Sequence, residues 1–449
     1  MSDMPQSDPK KQVMDAVIPA AVMLPWILVT CCFALWGFAN DITNPMVKAF
    51  SKILLMSNFQ GSLVQFAFYG GYFAMAFPAA LIIKKTSYKT GILLGLGLYA
   101  TGALLFIPAS MMMVFWPFLA AYFILTCGLS FLETGANPYI MSMGSEETAT
   151  RRLNFSQAFN PIGSLMGMFT AQNLIIARLN IATAEERAAM AASELQQVTA
   201  HDLGVIRTTY VAIGLVILAF FVLIAIVKMP HSQDKTHKLD IAGTLGRLFT
   251  NSRYIEGVVA QAFYVGAQIM CWTFVIHYGT ALFTSSDYGM SEQAAEVLSQ
   301  KYNIGAMILF CTSRFICTFL LKYIKPGALL LVLAVGGFVL ALGTILIQGI
   351  VGLYCLVGIS ACMSLMFPTI YGIALKGLGE DAKIGAAGLI MAILGGSVMP
   401  PLQAAIIDMG TVHAGFMTLP AVNASFVLPL ICFVVIAIYG FRTHHYHMD

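Results

Sequence analysis

Apolar residues run along this chain in long unbroken blocks rather than in strict alternation or one-sided stripes. Twelve of these blocks reach about 20 residues or more, the length an α-helix needs to cross roughly 30 Å of hydrocarbon. They fall at 17–50, 59–84, 90–108, 113–142, 153–177, 205–228, 254–283, 302–321, 327–349, 351–375, 384–408 and 417–441. Most connections are short, and the polar stretch 229–253 is the exception, with six blocks before it and six after. The pattern predicts an all-α membrane protein of 12 transmembrane helices in two pseudo-symmetric six-helix bundles, 1–228 and 254–449, joined by a linker over 229–253.

The halves echo one another. The fourth block ends in NPYIMSMGSEE (137–147) and the tenth in FPTIYGIALKGLGED (367–381), so that Pro138 and Pro368 lie 230 residues apart and Glu146 and Glu380 lie 234 apart. A repeat of this kind is what two-bundle transporters show, with the solute held near the midplane between the repeats. The segment 178–204 is too polar to cross, yet AEERAAMAASELQQ consists of strong helix formers. It is expected to form a short helix on the outer surface, either covering the way in or serving as an inert connector.

Composition agrees: 59% of the residues are hydrophobic and only 10% charged, against about 25% charged in soluble domains. The net charge of +3 matters less than its placement, because lysine and arginine in short loops set orientation. With both termini cytoplasmic, the inner side receives 17 of the 24 basic residues, the outer side only Lys48, Lys52, Arg178, Arg187, Arg207 and Lys301, and Arg314 falls within a span. The expected location is the cytoplasmic (inner) membrane with both ends facing the cytoplasm. The polar N-terminal stretch lacks the features of a cleaved signal peptide. The nine cysteines all fall in apolar stretches without a C-x-x-C pair, and read as small packing residues.

Strong charges inside spans are costly and mark functional sites by default. Glu133 lies 11 residues before Gly144, about 16 Å at 1.5 Å per residue, which places it near mid-bilayer. Asp41, in FANDITNP, reaches a similar depth if Pro45 leaves its helix unbroken. Low-dielectric surroundings disfavour the charged form of a carboxyl, so such a group can be neutral at one stage of a cycle and charged at another, and can carry a proton. Arg314 lies only about eight residues from Lys322, which suits either snorkelling or a lock between the halves.

Amides and aromatics add a second pattern. Asn137 follows Glu133 by one helical turn; Asn154, Gln157, Asn160 and Ser164 share a face of the fifth span; Gln261, Tyr264, Gln268 and Trp272 share one of the seventh; Gln65, Tyr69 and Tyr72 form a weaker stripe in the second. Paired donors and acceptors beside aromatic planes suit a neutral polyhydroxylated ligand, although amides also join helices to one another in membranes. Asn40 and Asn44 flank Asp41 and complete the candidate sugar-binding set. His277 stands at a helix end, where it can titrate near neutral pH or serve as a hydrogen-bonding group. Gly91 and Gly95 form a G-x-x-x-G that favours close helix packing. The chain carries no ATP-binding loop, no H-E-x-x-H and no G-x-S-x-G. No enzyme, cofactor or metal site is expected.

On FLETGANPY (131–139), RLNFSQAFNPIGS (152–164), AQAFYVGAQIMCW (260–272) and FPTIYGIALKGLGEDAK (367–383), the chain resembles the major facilitator superfamily, and within it the L-fucose:proton symporter family. The resemblance covers nearly the whole length. It implies an essential aspartate in the first span and glutamate in the fourth, here Asp41 and Glu133, and an arginine where His277 stands. The expectation is therefore proton-coupled import of a monosaccharide, L-fucose first, by alternating access. Glucose, galactose or N-acetylglucosamine, with proton or sodium coupling, is the alternative, and a non-transporting sugar sensor a remoter one. The expected partners are a small neutral sugar, a proton and the lipid bilayer, with no nucleic acid and a monomeric state.

Overall fold

The computed structural model describes residues 17–43, 46–56, 58–182, 184–229, 241–407, 409–414 and 417–444. The first half comprises α1 (Met23–Thr43), α2 (Met46–Ile53), α3 (Asn58–Lys85), α4 (Tyr88–Leu104), α5 (Phe106–Met112), α6 (Trp116–Ser142), α7 (Ala149–Gln157), α8 (Asn160–Thr170), α9 (Ala184–Ala188) and α10 (Ala192–Ile226). After α11 (Ile241–Thr250), the second half comprises α12 (Ser252–Thr284), α13 (Glu292–Leu320), α14 (Pro326–Leu346), α15 (Ile350–Met363), α16 (Met366–Leu375), α17 (Ala382–Met391), α18 (Gly395–Ile407), α19 (Ala421–Ala424) and α20 (Val427–Thr443). A short antiparallel hairpin, β1 (Thr411–Ala414) with β2 (Met417–Pro420), precedes α19.

Among the described residues, eleven helical stretches are long and apolar enough to span a membrane. The other expected span, the fifth, is built from consecutive pieces: α7, α8 and a π-helical turn at Ala171–Ile175. Pro161 in the first turn of α8 explains the first break, since proline lacks an N–H and its ring opposes helical geometry in the residue before it. The eleventh span is interrupted too, by a 3-10 turn at Ala392–Leu394 between α17 and α18. Discontinuous helices thus occupy matching places in the two halves. The first expected span, 17–50, is divided between α1 and α2, with Asn44 and Pro45 outside the described residues. The polar segment after Arg178 does not form one separate helix. A short α9 is followed by α10, 35 residues long, which carries the helix-forming stretch straight into the sixth span.

Two apolar cores organise the bundle. One gathers first-half side chains such as Phe33, Phe50, Ile92, Tyr122 and Leu132, and the other second-half side chains such as Met270, Leu330, Leu353 and Phe433. In the first, α1 and α8 cross so closely that a Cβ on Gly163 would stand 1.9 Å from the Ala34 carbonyl oxygen, and one on Gly37 would stand 2.2 Å from that of Asn160. Only glycine fits there. The turn between α6 and α7 is held by Arg152, fully buried, which donates to the carbonyl oxygens of Ile140 at 2.7 Å, Val17 at 3.1 Å and Ser145 at 3.3 Å, and to that of Met141. These include the carbonyls left free at a helix C-terminus, where a cation is favoured.

Candidate functional site

The two halves meet around a cavity of about 170 Å³, lined by Asn40, Asp41, Tyr69, Tyr72, Glu133, Gln157, Asn160 and Ser164 from the first half and by Tyr264, Gln268, Trp272, Phe310, Arg314 and Phe367 from the second. The first-half wall is polar. The second-half wall is mainly aromatic and aliphatic, with Val265, Ile269, Met307 and Ile393 filling the gaps. A cavity of this size, with a few placed polar groups against apolar planes, suits a small uncharged solute.

Glu133 is buried in this wall with 5% of its surface exposed. Tyr72 Oη donates to its Oε1 at 3.0 Å, and among the described residues that is the carboxyl's hydrogen bond. Among the described residues it has no ion-pair partner. One turn on, Asn137 Nδ2 donates to the Glu133 carbonyl oxygen at 2.8 Å, and Asn137 Oδ1 accepts from Gln157 Nε2 at 2.7 Å. Asn137 therefore stands behind the wall, orienting Gln157, which does line the cavity. Asn160 spends its Nδ2 on the Phe33 carbonyl oxygen at 3.1 Å, and Trp272 Nε1 donates to Ser360 Oγ at 3.2 Å, so that the indole presents a fixed face.

Arg314 does not snorkel. It is buried at 3% exposure and reaches across the interface: its Nη1 donates to the Gln157 carbonyl oxygen at 2.9 Å and its Nε to that of Ser364, with the guanidinium 4.7 Å from the centre of the Phe310 ring. Further ties join the halves beyond the cavity. Asn154 Nδ2 donates to Thr369 Oγ1 at 3.3 Å, and the Gly377 N–H to Glu146 Oε1 at 3.1 Å. Lys84 Nζ donates to Thr244 Oγ1 at 2.9 Å, which donates to Asp381 Oδ1 at 2.9 Å, while Arg247 Nε meets Asp381 Oδ2 at 2.7 Å. These contacts lie toward the end of the bundle that carries Lys84, Lys85, Lys89, Arg247 and Lys376, the basic end, and join the halves there.

Of the residues singled out from the sequence, Asn40, Asp41, Glu133, Gln157, Asn160, Tyr264, Gln268 and Trp272 converge on the cavity. Gln261 is fully buried outside its lining, with neither amide atom bonded among the described residues. Asn44 lies outside the described residues, as does the side chain of Gln65. Trp36, Phe68, Phe310 and Phe367 line the cavity without having been expected there. They are apolar residues in apolar spans, and only their position across the interface sets them apart.

A bundle of apolar helices in two halves, with a cavity lined by both where they meet, is the architecture of a secondary transporter. The chain belongs to the Major Facilitator Superfamily, whose family model matches residues 29–400. It is 51% identical over 436 residues to the L-fucose-proton symporter of Haemophilus influenzae, covering 95% of this chain and 98% of that one. It is 33% identical over 430 residues to the L-fucose-proton symporter of Escherichia coli, covering 95% and 94%. The crystal structure of the transporter FucP in the outward conformation superposes with a TM-score of 0.84 at 32% identity, over 95% of this chain and 100% of that one.

Proposed function

We propose that this chain imports a monosaccharide, L-fucose first, together with a proton, across the cytoplasmic membrane by alternating access. The observation that carries the reading is Glu133: a carboxyl buried in the cavity wall whose one hydrogen bond among the described residues comes from a neutral tyrosine. A charge so placed is expensive, and a proton is the counter-charge that can reach it. The relatives named as L-fucose-proton symporters support the cargo. In this reading Asp41 and Glu133 are the coupling carboxyls, Glu133 taking the proton from the outer side and exchanging it with Asp41. Gln157, Asn160, Gln268, Asn40 and Tyr264 offer hydrogen bonds to the sugar hydroxyls, Trp272 offers its face to the C–H side of the ring, and Asn137 holds Gln157 in place. Asn44 and Gln261 complete the candidate set.

The basic end is cytoplasmic, both termini lie there, and the protein works as a monomer in the bilayer. The arrangement described then has its cytoplasmic side shut, ready to receive sugar from outside. Labelled-sugar uptake in proteoliposomes tests the reading. L-fucose should accumulate under an inward proton gradient, stop accumulating when that gradient is collapsed, and be indifferent to sodium; accumulation that follows sodium, or a hexose panel in which fucose is not preferred, would defeat it.

A further inference from the structure

The basic end of the bundle carries a second cavity, of about 520 Å³ and open to the surface, lined by Tyr88, Pro138 and Thr150 from the first half and Leu375, Lys376 and Lys383 from the second. Only a thin layer separates it from the central one. Along α6 the central cavity is lined by Glu133 and the vestibule by Pro138, five residues or about 7.5 Å further on. Along α16 the same passage runs from Phe367 to Leu375, about 12 Å. Tyr371 stands midway in that second stretch.

Its surroundings face both ways. The ring is fully buried and stacks on Phe367 of the central cavity, with centroids 6.3 Å apart, while the adjacent Gly372 lies against Thr150 of the vestibule wall. Although it belongs to the second half, Tyr371 packs into the first-half core with Tyr72, Tyr88 and Tyr139. Its hydroxyl is within electrostatic reach of Tyr88 on α4, Glu133 on α6 and Tyr254 on α12. The vestibule wall carries four charged side chains, Glu146, Lys376, Glu380 and Lys383, and Lys383 Nζ on α17 sits 5.1 Å from the centre of the Tyr88 ring. Among the described residues the Tyr371 hydroxyl has no hydrogen-bond partner. A phenylalanine would pack as well without burying an unsatisfied group, and such a group in a native interior calls for an explanation.

We propose that the Tyr371 hydroxyl relays the proton from Glu133 to water in the vestibule as the basic end opens. The proposal rests on Glu133 being the proton carrier. Parting of the halves moves Tyr371, on the second half, relative to Glu133 and Tyr72, on the first, and brings vestibule water up to its hydroxyl. The Glu133 carboxyl then passes its proton to the Tyr371 oxygen as the tyrosine O–H proton goes to a water molecule. Glu133 is left as a carboxylate, the tyrosine is regenerated neutral, and the proton leaves on water. While the end is shut the hydroxyl is bonded to neither side, so the wire is broken and protons do not leak inward.

Tyr371→Phe in proteoliposomes, with L-fucose as the probe, tests this by following sugar-driven proton influx and fucose exchange in parallel. Exchange needs no proton release and should stay close to that of the unmodified protein, whereas proton influx should fall at least about tenfold, as expected on removing a group that transfers the proton. Tyr371→His, which restores a proton-carrying atom, should recover part of the influx. Equal influx in Tyr371→Phe and the unmodified protein overturns the relay, and so does an equal loss of exchange and influx, which is the mark of a packing role. Should Tyr371→Phe not fold, the unmodified protein in heavy water decides: net efflux must slow more than exchange, and equal slowing overturns the relay. If the unmodified protein moves fucose without protons, it is the symport reading itself that has failed.

Discussion

Arg314 of the second half donates to the main-chain carbonyl oxygen of Gln157 in the first, at 2.9 Å, beside the cavity both residues line. The bond joins the first-half wall of the cavity to the second half in one contact. Gln157 is the last residue of α7, and its carbonyl is free for this bond because the helix breaks before Pro161. Its side chain meanwhile is bonded to Asn137 on α6. Any shift of α7 on sugar binding is thus felt at the guanidinium, and parting of the halves must break this bond.

Replacing Arg314 with Met therefore removes a charge-assisted bond between the halves. Such bonds contribute about 1.5–3 kcal/mol, so the equilibrium should move by roughly tenfold or more toward opening. A cysteine placed at Thr150, in the vestibule, should react faster with a cytoplasmic-side alkylating reagent in the Arg314→Met background. An unchanged labelling rate would show that closure does not depend on this arginine.

Glu133→Gln keeps the size of the side chain and its place beside Tyr72, but cannot take up and release a proton. Concentrative uptake of L-fucose should be lost while exchange of labelled for unlabelled sugar persists. Tyr72→Phe should be milder, slowing transport by roughly 2–10-fold, since it forfeits a single hydrogen bond of about 0.5–1.5 kcal/mol. Uphill accumulation by Glu133→Gln at the unmodified rate is the result that would remove Glu133 from the coupling role.

The membrane fold was legible because block length and composition dominate it: the spans that begin near 90, 113 and 327 appear as helices at Tyr88, Trp116 and Pro326. What the blocks did not reveal is where helices break. Pro161 interrupts a helix and Pro138 does not, because Pro138 lies inside a helix packed on all sides whereas Pro161 lies where α8 must bend around α1. The charged and amide residues of the cavity could be recognised individually, since each is anomalous in hydrocarbon. Asn137 and Gln261 show the limit of that signal. Helical spacing places them on the right face, but their depth below the cavity wall depends on neighbouring helices. The Tyr371 hydroxyl, without a hydrogen-bond partner among the described residues, had no signature in the chain at all, because a tyrosine in an apolar span is ordinary until its surroundings are known.

Gly163→Ala tests the crossing that carries Asp41 and Asn160 on adjoining helices. Its Cβ would fall 1.9 Å from the Ala34 carbonyl oxygen, a backbone atom that cannot swing aside. Overpacking of this kind costs about 1–3 kcal/mol and sometimes more. The purified variant should melt at lower temperature in detergent and lose sugar binding, whereas Gly246→Ala, at a site with open space around the new methyl group, should do neither. Equal melting of the two variants would refute the close approach of α1 and α8.

At the end of the bundle opposite the basic one, Arg187 and Asp202 form an ion pair at 2.5 Å with both side chains fully buried. They share Asn180 as well: its N–H donates to Asp202 Oδ1 at 2.8 Å, and its carbonyl oxygen accepts from Arg187 at 3.1 Å and from Lys52 of α2 at 3.1 Å. The polar segment after Arg178 is thereby tied to both α10 and α2. Removing one member of a buried pair leaves the other charge unmatched and costs roughly 3–5 kcal/mol, whereas replacing both by apolar residues of similar volume is often close to neutral. Arg187→Met and Asp202→Leu should each lower the melting temperature sharply in detergent, and the double variant should recover most of the loss. Because α2 continues the span that carries Asp41, the single variants should also bind fucose more weakly at temperatures where they remain folded. Single variants as stable as the unmodified protein, or a double variant no better than either, would show that the pair does not hold this end together.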